Sequence, residues 1–161
     1  MRTLIIIQVL LFSLSLSISS YAADFNKGLT AAQSGDFATA LKEWKPLAEE
    51  GDAVAQYNLG QMYRKGDGVP QDDKEAARLY RLAAEQGYAD AQGNLGVMYV
   101  FGKGVTKDFV YAHMWGNIAL MNGNERGASV RGHVAEKMTS SQIEEAQRLA
   151  RECVKKNYKG C

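Results

Sequence analysis

The stretch Leu59-Gly60-Gln61-Met62-Tyr63-Arg64-Lys65-Gly66-Asp67-Gly68-Val69 returns 36 residues later as Leu95-Gly96-Val97-Met98-Tyr99-Val100-Phe101-Gly102-Lys103-Gly104-Val105. The correspondence extends outward in both directions. Ala55 and Gln56 recur as Ala91 and Gln92, Asp72 as Asp108, Ala76 as Ala112, Ala83 as Ala119 and Gly87 as Gly123. A fixed period that keeps small, aromatic and glycine positions in phase marks a repeat array, in which each unit buries its apolar face against its neighbours. Spacing within one period reads as two helices. Ala55, Leu59, Met62 and Tyr63 fall on one stripe of the first, and Ala76, Leu79, Tyr80, Ala83 and Ala84 on one stripe of the second. Between them, Gly66-Asp67-Gly68-Val69-Pro70 ends the first helix, with one glycine in the left-handed position and Val69 turned back into the core. Asp72 with Glu75 caps the second helix. Gly60 and Gly96 sit mid-helix, where glycine costs about 1 kcal/mol against alanine, so each is expected to admit a closely packed neighbouring backbone.

The flanks read as modified units. Subtracting the period aligns Asp36 with Asp72, Ala40 with Ala76 and Trp44 with Tyr80. Residues 23–51 are therefore expected to form an N-terminal helix pair with a shorter loop, its second helix capped by Asp36 over 37–50. Full repeats follow at 52–87 and 88–123. In the second, Trp115 stands where Leu79 stood, and Gly116 replaces Tyr80, which is expected to leave a gap. Residues 124–161 read as C-terminal capping helices with a pinned tail. A weaker helix over 125–137 contains Gly127 and Gly132. Thr139-Ser140-Ser141-Gln142 reads as a capping box opening a strong helix over 143–156, with Ala146, Leu149, Ala150 and Cys153 inward.

Residues 1–22 differ from the rest. After Met1-Arg2 no charge appears until Asp24; Leu4 to Phe12 is almost purely aliphatic, a serine-rich stretch follows, and Ser20-Tyr21-Ala22 offers a small-x-small exit. This is the pattern of a secretory signal peptide cut after Ala22, and the serines and small exit argue against a retained membrane anchor. Export to the periplasm or beyond makes Cys153 and Cys161 a candidate disulfide. A continuous helix would hold them about 12 Å apart, so the chain must turn back, and Lys159-Gly160 suits that turn. A formal charge of +1 supplies neither a basic patch nor an acidic tail, which disfavours nucleic acid as a partner.

The run Ala55-Leu59-Gly60-Tyr63-Gly66-Gly68-Val69-Asp72-Ala76, then Ala83-Ala84-Gly87, resembles the Sel1-like repeat, a relative of the tetratricopeptide repeat. Its second copy is Ala91-Leu95-Gly96-Tyr99-Gly102-Gly104-Val105-Asp108-Ala112. The tail is similar to the family's closing segment in Ala112-His113-Met114-Trp115 and in Met138-Thr139 followed by Gln142-Ile143, Ala146-Gln147 and Leu149-Ala150. The resemblance implies an all-α solenoid: antiparallel helix pairs stacked into a right-handed superhelix that serves as an adaptor or scaffold.

Residues that carry chemistry are sparse. Neither Gly-x-Gly follows a strand or opens a dinucleotide-type helix. His113 and His133 lack the spacing of metal ligands, and no nucleophile elbow is present. The sequence therefore reads as non-enzymatic, with no catalytic residue, metal or cofactor. The expected binding surface is the exposed side of the first helices, where Asn58 pairs with Asn94, Gln61 with Val97 and Lys65 with Phe101. Paired asparagines would hold a peptide backbone and Phe101 would anchor it. The leading expectation is an exported scaffold for another protein or peptide. The alternatives are a secreted factor meeting a host or envelope receptor through its loops, and a cell-wall or β-lactam hydrolase. Oligomeric state is not legible.

Overall fold

The structure, a computed structural model, describes residues 25–161, so the expected signal peptide at 1–22 lies outside the described residues. The described residues form eight helices and no strand: α1 (25–33), α2 (Phe37–Glu49), α3 (Ala53–Lys65), α4 (Asp73–Ala84), α5 (Ala89–Phe101), α6 (Phe109–Met121), α7 (Arg126–Ala135) and α8 (Ser140–Lys155). From α2 to α7 each helix packs on the next in sequence; α7 also lies against α5, and α8 returns to pack on α6. The architecture is an α/α solenoid of the expected kind.

Aspartates start four of the helices in the same way, Asp52 at α3 among them, accepting from the Ala55 N–H at 2.7 Å. At the second helix of each pair the side chains of Asp36, Asp72 and Asp108 likewise accept from backbone N–H groups of their own first turn, at 3.1, 2.9 and 2.8 Å. Thr139 and Gln142 form a reciprocal capping box, so α8 begins at Ser140 and not at 143: the residues between the two partners are already its first turn. Gly66 and Gly102 are left-handed C-caps of α3 and α5. The second glycine of each loop has a separate task. With φ of +70° and +67°, Gly68 and Gly104 let the loop touch the start of the preceding unit's second helix. A Cβ on Gly68 would lie 2.5 Å from that of Phe37, and one on Gly104 would run into the Asp73 carbonyl and lie 2.8 Å from the Lys74 nitrogen.

Buried glutamines tie successive pairs together. Gln56 donates to the Ala48 carbonyl and Gln92 to the Ala84 carbonyl, both at 3.0 Å. Each also accepts from the amide of a residue further along: Gln86 to Gln56, Asn122 to Gln92, both at 2.9 Å. The end of one repeat is thus hydrogen-bonded to the next. The Cys153–Cys161 disulfide is present, with Cα atoms 5.6 Å apart. The turn that permits it uses left-handed Asn157, Tyr158 and Gly160, a wider reversal than Lys159-Gly160 alone. It delivers the Tyr158 hydroxyl to Asn122 Oδ1 at 3.1 Å, and so fixes the tail to the last full repeat.

Two expectations are corrected in the core. Gly60 does not admit a backbone: it faces the ring of Tyr80, whose Cε1 would lie 2.8 Å from an added Cβ. Gly28 does the same beneath Trp44. Gly116 leaves no gap, because α7 moves into the space. A Cβ on Gly116 would stand 3.0 Å from the Gly127 carbonyl oxygen and 3.1 Å from Val130 Cγ1, so the backbones of α6 and α7 meet directly. The glycines of the weaker helix do different things: Gly127 makes that approach, while Gly132 faces open space.

Candidate protein-binding cleft

Residues from α3, α5 and α7 converge on one cleft, lined by Arg64, Asn94, Val97, Met98, Phe101, Lys103 and Arg126. A largely apolar depression adjoins it, sharing Val97, Phe101 and Arg126 and adding Val100, Ser129, Val130 and His133. Phe101 is 65% exposed at the end of α5, although it is among the most apolar side chains of the chain. Its position follows from the repeat, since it is the last helical residue before the Gly102 cap and no later helix covers it.

Three of the six residues expected to face a partner, Asn94, Val97 and Phe101, thus come together. Asn58, Gln61 and Lys65 do not line the cleft. Asn58 and Gln61 are half-buried, and the exposed Lys65 stands 3.9 Å from the Asp67 carboxylate. Asn94 departs from the expectation of an exposed pair. It is 7% exposed, and its Oδ1 accepts a hydrogen bond from the Arg126 guanidinium. The cause is α7, which packs against α5, whereas α5 does not lie comparably close to α3 and leaves Asn58 half open. The Oδ1 of Asn94 therefore positions Arg126, while the residue itself lines the cleft.

The cations are what the sequence reading missed. Arg64, Lys103 and Arg126 come from the last turn of α3, the α5–α6 loop and the first turn of α7. Arg126 did carry a signal. As the first residue of α7, behind a Glu125 N-cap whose side chain makes no capping hydrogen bond, it is a cation set against the helix dipole. Under the cleft the Tyr80 hydroxyl is wholly buried and finds no hydrogen-bond partner among the described residues. Burial pushes this phenol up, and the Arg64 charge opposes that shift. Among the described residues no group of three or more His, Cys, Asp and Glu stands close enough to hold a metal.

Residues 53–88 and 89–124 each match the Sel1 repeat. Over 56 residues the chain is 38% identical to an exopolysaccharide production negative regulator of Rhizobium leguminosarum bv. viciae, covering 35% of this chain and 21% of that protein. A solved protective antigen present in uropathogenic Escherichia coli strains, displaying an SLR fold, is similar with a TM-score of 0.80 and 32% identity, over 86% of this chain and 30% of the antigen. A Sel1 repeat protein from Oxalobacter formigenes is similar with a TM-score of 0.66 and 26% identity, over 80% of this chain and 55% of its own. The chain spans about a fifth of the curated relative's length and under a third of the antigen's.

Proposed function

We propose that this chain, a Sel1-like repeat protein, is a non-enzymatic scaffold that binds another protein or peptide through its α3–α5–α7 face. Sel1 repeats generally mediate protein–protein interaction, and this is the coarse function the family gives. The finer reading is carried by one observation: the 65%-exposed Phe101 at the mouth of a cleft formed by three helices of successive units. An exposed aromatic beside a cleft is the kind of anchor around which binding energy concentrates. Rigid helix pairs present it without the entropy cost of ordering a loop.

The proposal includes export, with a cut after Ala22, and the Cys153–Cys161 bond supports an oxidising compartment. Intact-mass measurement on protein from the periplasm and culture fluid tests it; a mass that retains residues 1–22 would count against it. For binding, the intact protein and two variants, Phe101→Asp and Leu82→Asp, are used for capture from those fractions. Leu82 is also an exposed apolar residue, on α4. A partner lost with Phe101→Asp and kept with Leu82→Asp supports the face. A partner kept by both moves binding elsewhere, to the loops. That outcome would favour the receptor-contacting reading, which the likeness to a protective antigen suggests.

A further inference from the structure

Resting on that reading of the face, we infer that its occupant is an acidic peptide segment, with carboxylate side chains flanking an aromatic or branched aliphatic residue. Three cations from three separate elements surround the cleft, and neither it nor the adjoining depression is lined by any aspartate or glutamate. None of Arg64, Lys103 and Arg126 forms an ion pair with a described residue. The whole chain carries 19 basic and 18 acidic residues, so this is segregation and not a reflection of composition. Grouping like charges costs the free protein repulsion and costs Arg126 an unfavourable helix end. A partner of opposite charge removes both costs. Arg126 uses one N–H on Asn94, and a guanidinium has five to offer.

The apolar part of the site selects a peptide over other polyanions. Val97, Val100 and Val130 floor the depression next to Phe101, and between them the two hollows hold both chemistries within one short segment. An extended peptide alternates side chains from one side to the other at about 3.3 Å per residue, so carboxylates and an apolar group can reach the two hollows together. A nucleic acid or an anionic polysaccharide would engage the cations and leave the valine floor uncovered. Three cations would also give it little backbone affinity.

The probe is an end-blocked fluorescent decapeptide with a central Phe between Asp residues, titrated against the intact disulfide-bonded protein. Binding should weaken about tenfold between roughly 50 and 300 mM salt. The Asp-to-Asn analogue and the protein variant Arg64→Glu/Lys103→Glu should each weaken it about tenfold, and Phe101→Ala about fivefold. Lys42→Glu, on α2, should leave it unchanged, and circular dichroism should show native helix in every variant. No binding of the acidic peptide, equal binding of the Asn analogue, or equal binding of an oligouronate of the same charge would overturn the inference. A partner captured through Phe101 but indifferent to salt and to the Arg64/Lys103 reversal would sink this inference and leave the scaffold reading standing. Capture indifferent to Phe101 as well would sink both.

Discussion

The two full repeats share their period but close their cores by opposite means. In the first, Tyr80 lies over Gly60, and Tyr57 packs against both Tyr80 and Tyr88 with ring centroids 5.8 and 5.0 Å apart. This aromatic wedge fills the space between α3, α4 and the start of α5. In the second repeat the same three positions are Gly93, Gly116 and Asn124. There the space is filled by a helix: α7 brings Gly127 onto Gly116 and Val130 onto Gly96 and Gly116. The glycine seam makes α7 part of the second repeat, and so carries Arg126 to Asn94 and completes the cleft. A loss of aromatics that looks like damage in one repeat is what lets the next helix build the candidate site.

Removing the wedge should have the largest effect. Tyr80 is fully buried, and in the first repeat no helix stands ready to fill its volume, so Tyr80→Ala should cost roughly 3–5 kcal/mol in chemical unfolding. A loss under about 1 kcal/mol would mean that α5 can slide in as α7 does, and the contrast would fall. The seam should tolerate the opposite change poorly. In Gly127→Ala the new methyl meets the Gly116 carbonyl and lies 2.6 Å from the Leu120 nitrogen, both backbone atoms that cannot swing away. The expected cost is about 3 kcal/mol, with Arg126 displaced from Asn94. In Gly60→Ala the methyl lies 2.8 and 2.9 Å from two atoms of the buried Tyr80 ring, which must shift. The change also gains about 1 kcal/mol of helix propensity, so the net cost should be about 1 kcal/mol, well below that at Gly127. Equal losses at the two glycines would show that both seams are of one kind.

What the sequence disclosed follows from this contrast. Period, helix pairs, aspartate caps and the cysteine bridge were legible because each depends on local spacing or on a repeated residue. Phe101 and Val97 were legible because they sit off the apolar stripe of a helix whose register was known. The unforeseen burial of Asn94 and the overlooked Arg126 share a cause: both depend on where α7 docks, and α7 lies outside the period. Gly127 and Gly116, 11 residues apart, were the clue, but small residues on two helices reveal a seam only when it is known that those helices face each other.

Where the repeats are alike they should respond alike. Gln56 and Gln92 make the same two hydrogen bonds, so replacing either by Leu removes both. The Ala48 and Ala84 carbonyls keep the Gly51 and Gly87 N–H groups, so each change should cost about 1 kcal/mol. Gln92→Leu should do one thing more. Asn122, its partner, also holds the Tyr158 hydroxyl, so hydrogen exchange in the tail after α8 should accelerate in this variant and not in Gln56→Leu. Identical exchange in both would separate the tail from the repeat lattice.

The smallest effect should come from acid, and only on the seam side. His113 of α6 is 3% exposed, its Nδ1 has no hydrogen-bond partner among the described residues, and burial followed by the Arg131 charge on α7 depresses its pKa below 6.5. A histidine depressed in the folded state takes up its proton more readily when unfolded. Its contribution to stability is therefore complete above about pH 6.5 and declines as pH falls toward the folded value. The wedge has no such group. Burial raises the hydroxyls of Tyr57, Tyr80 and Tyr88, which stay neutral through the same range. Thermal unfolding followed from pH 7.5 to about 5 should show a fall in Tm for the wild type that is shallower in His113→Leu. Tyr57→Phe should keep the wild-type slope. A slope unchanged by His113→Leu would mean that acid acts elsewhere and that the seam is no more sensitive to charge than the wedge.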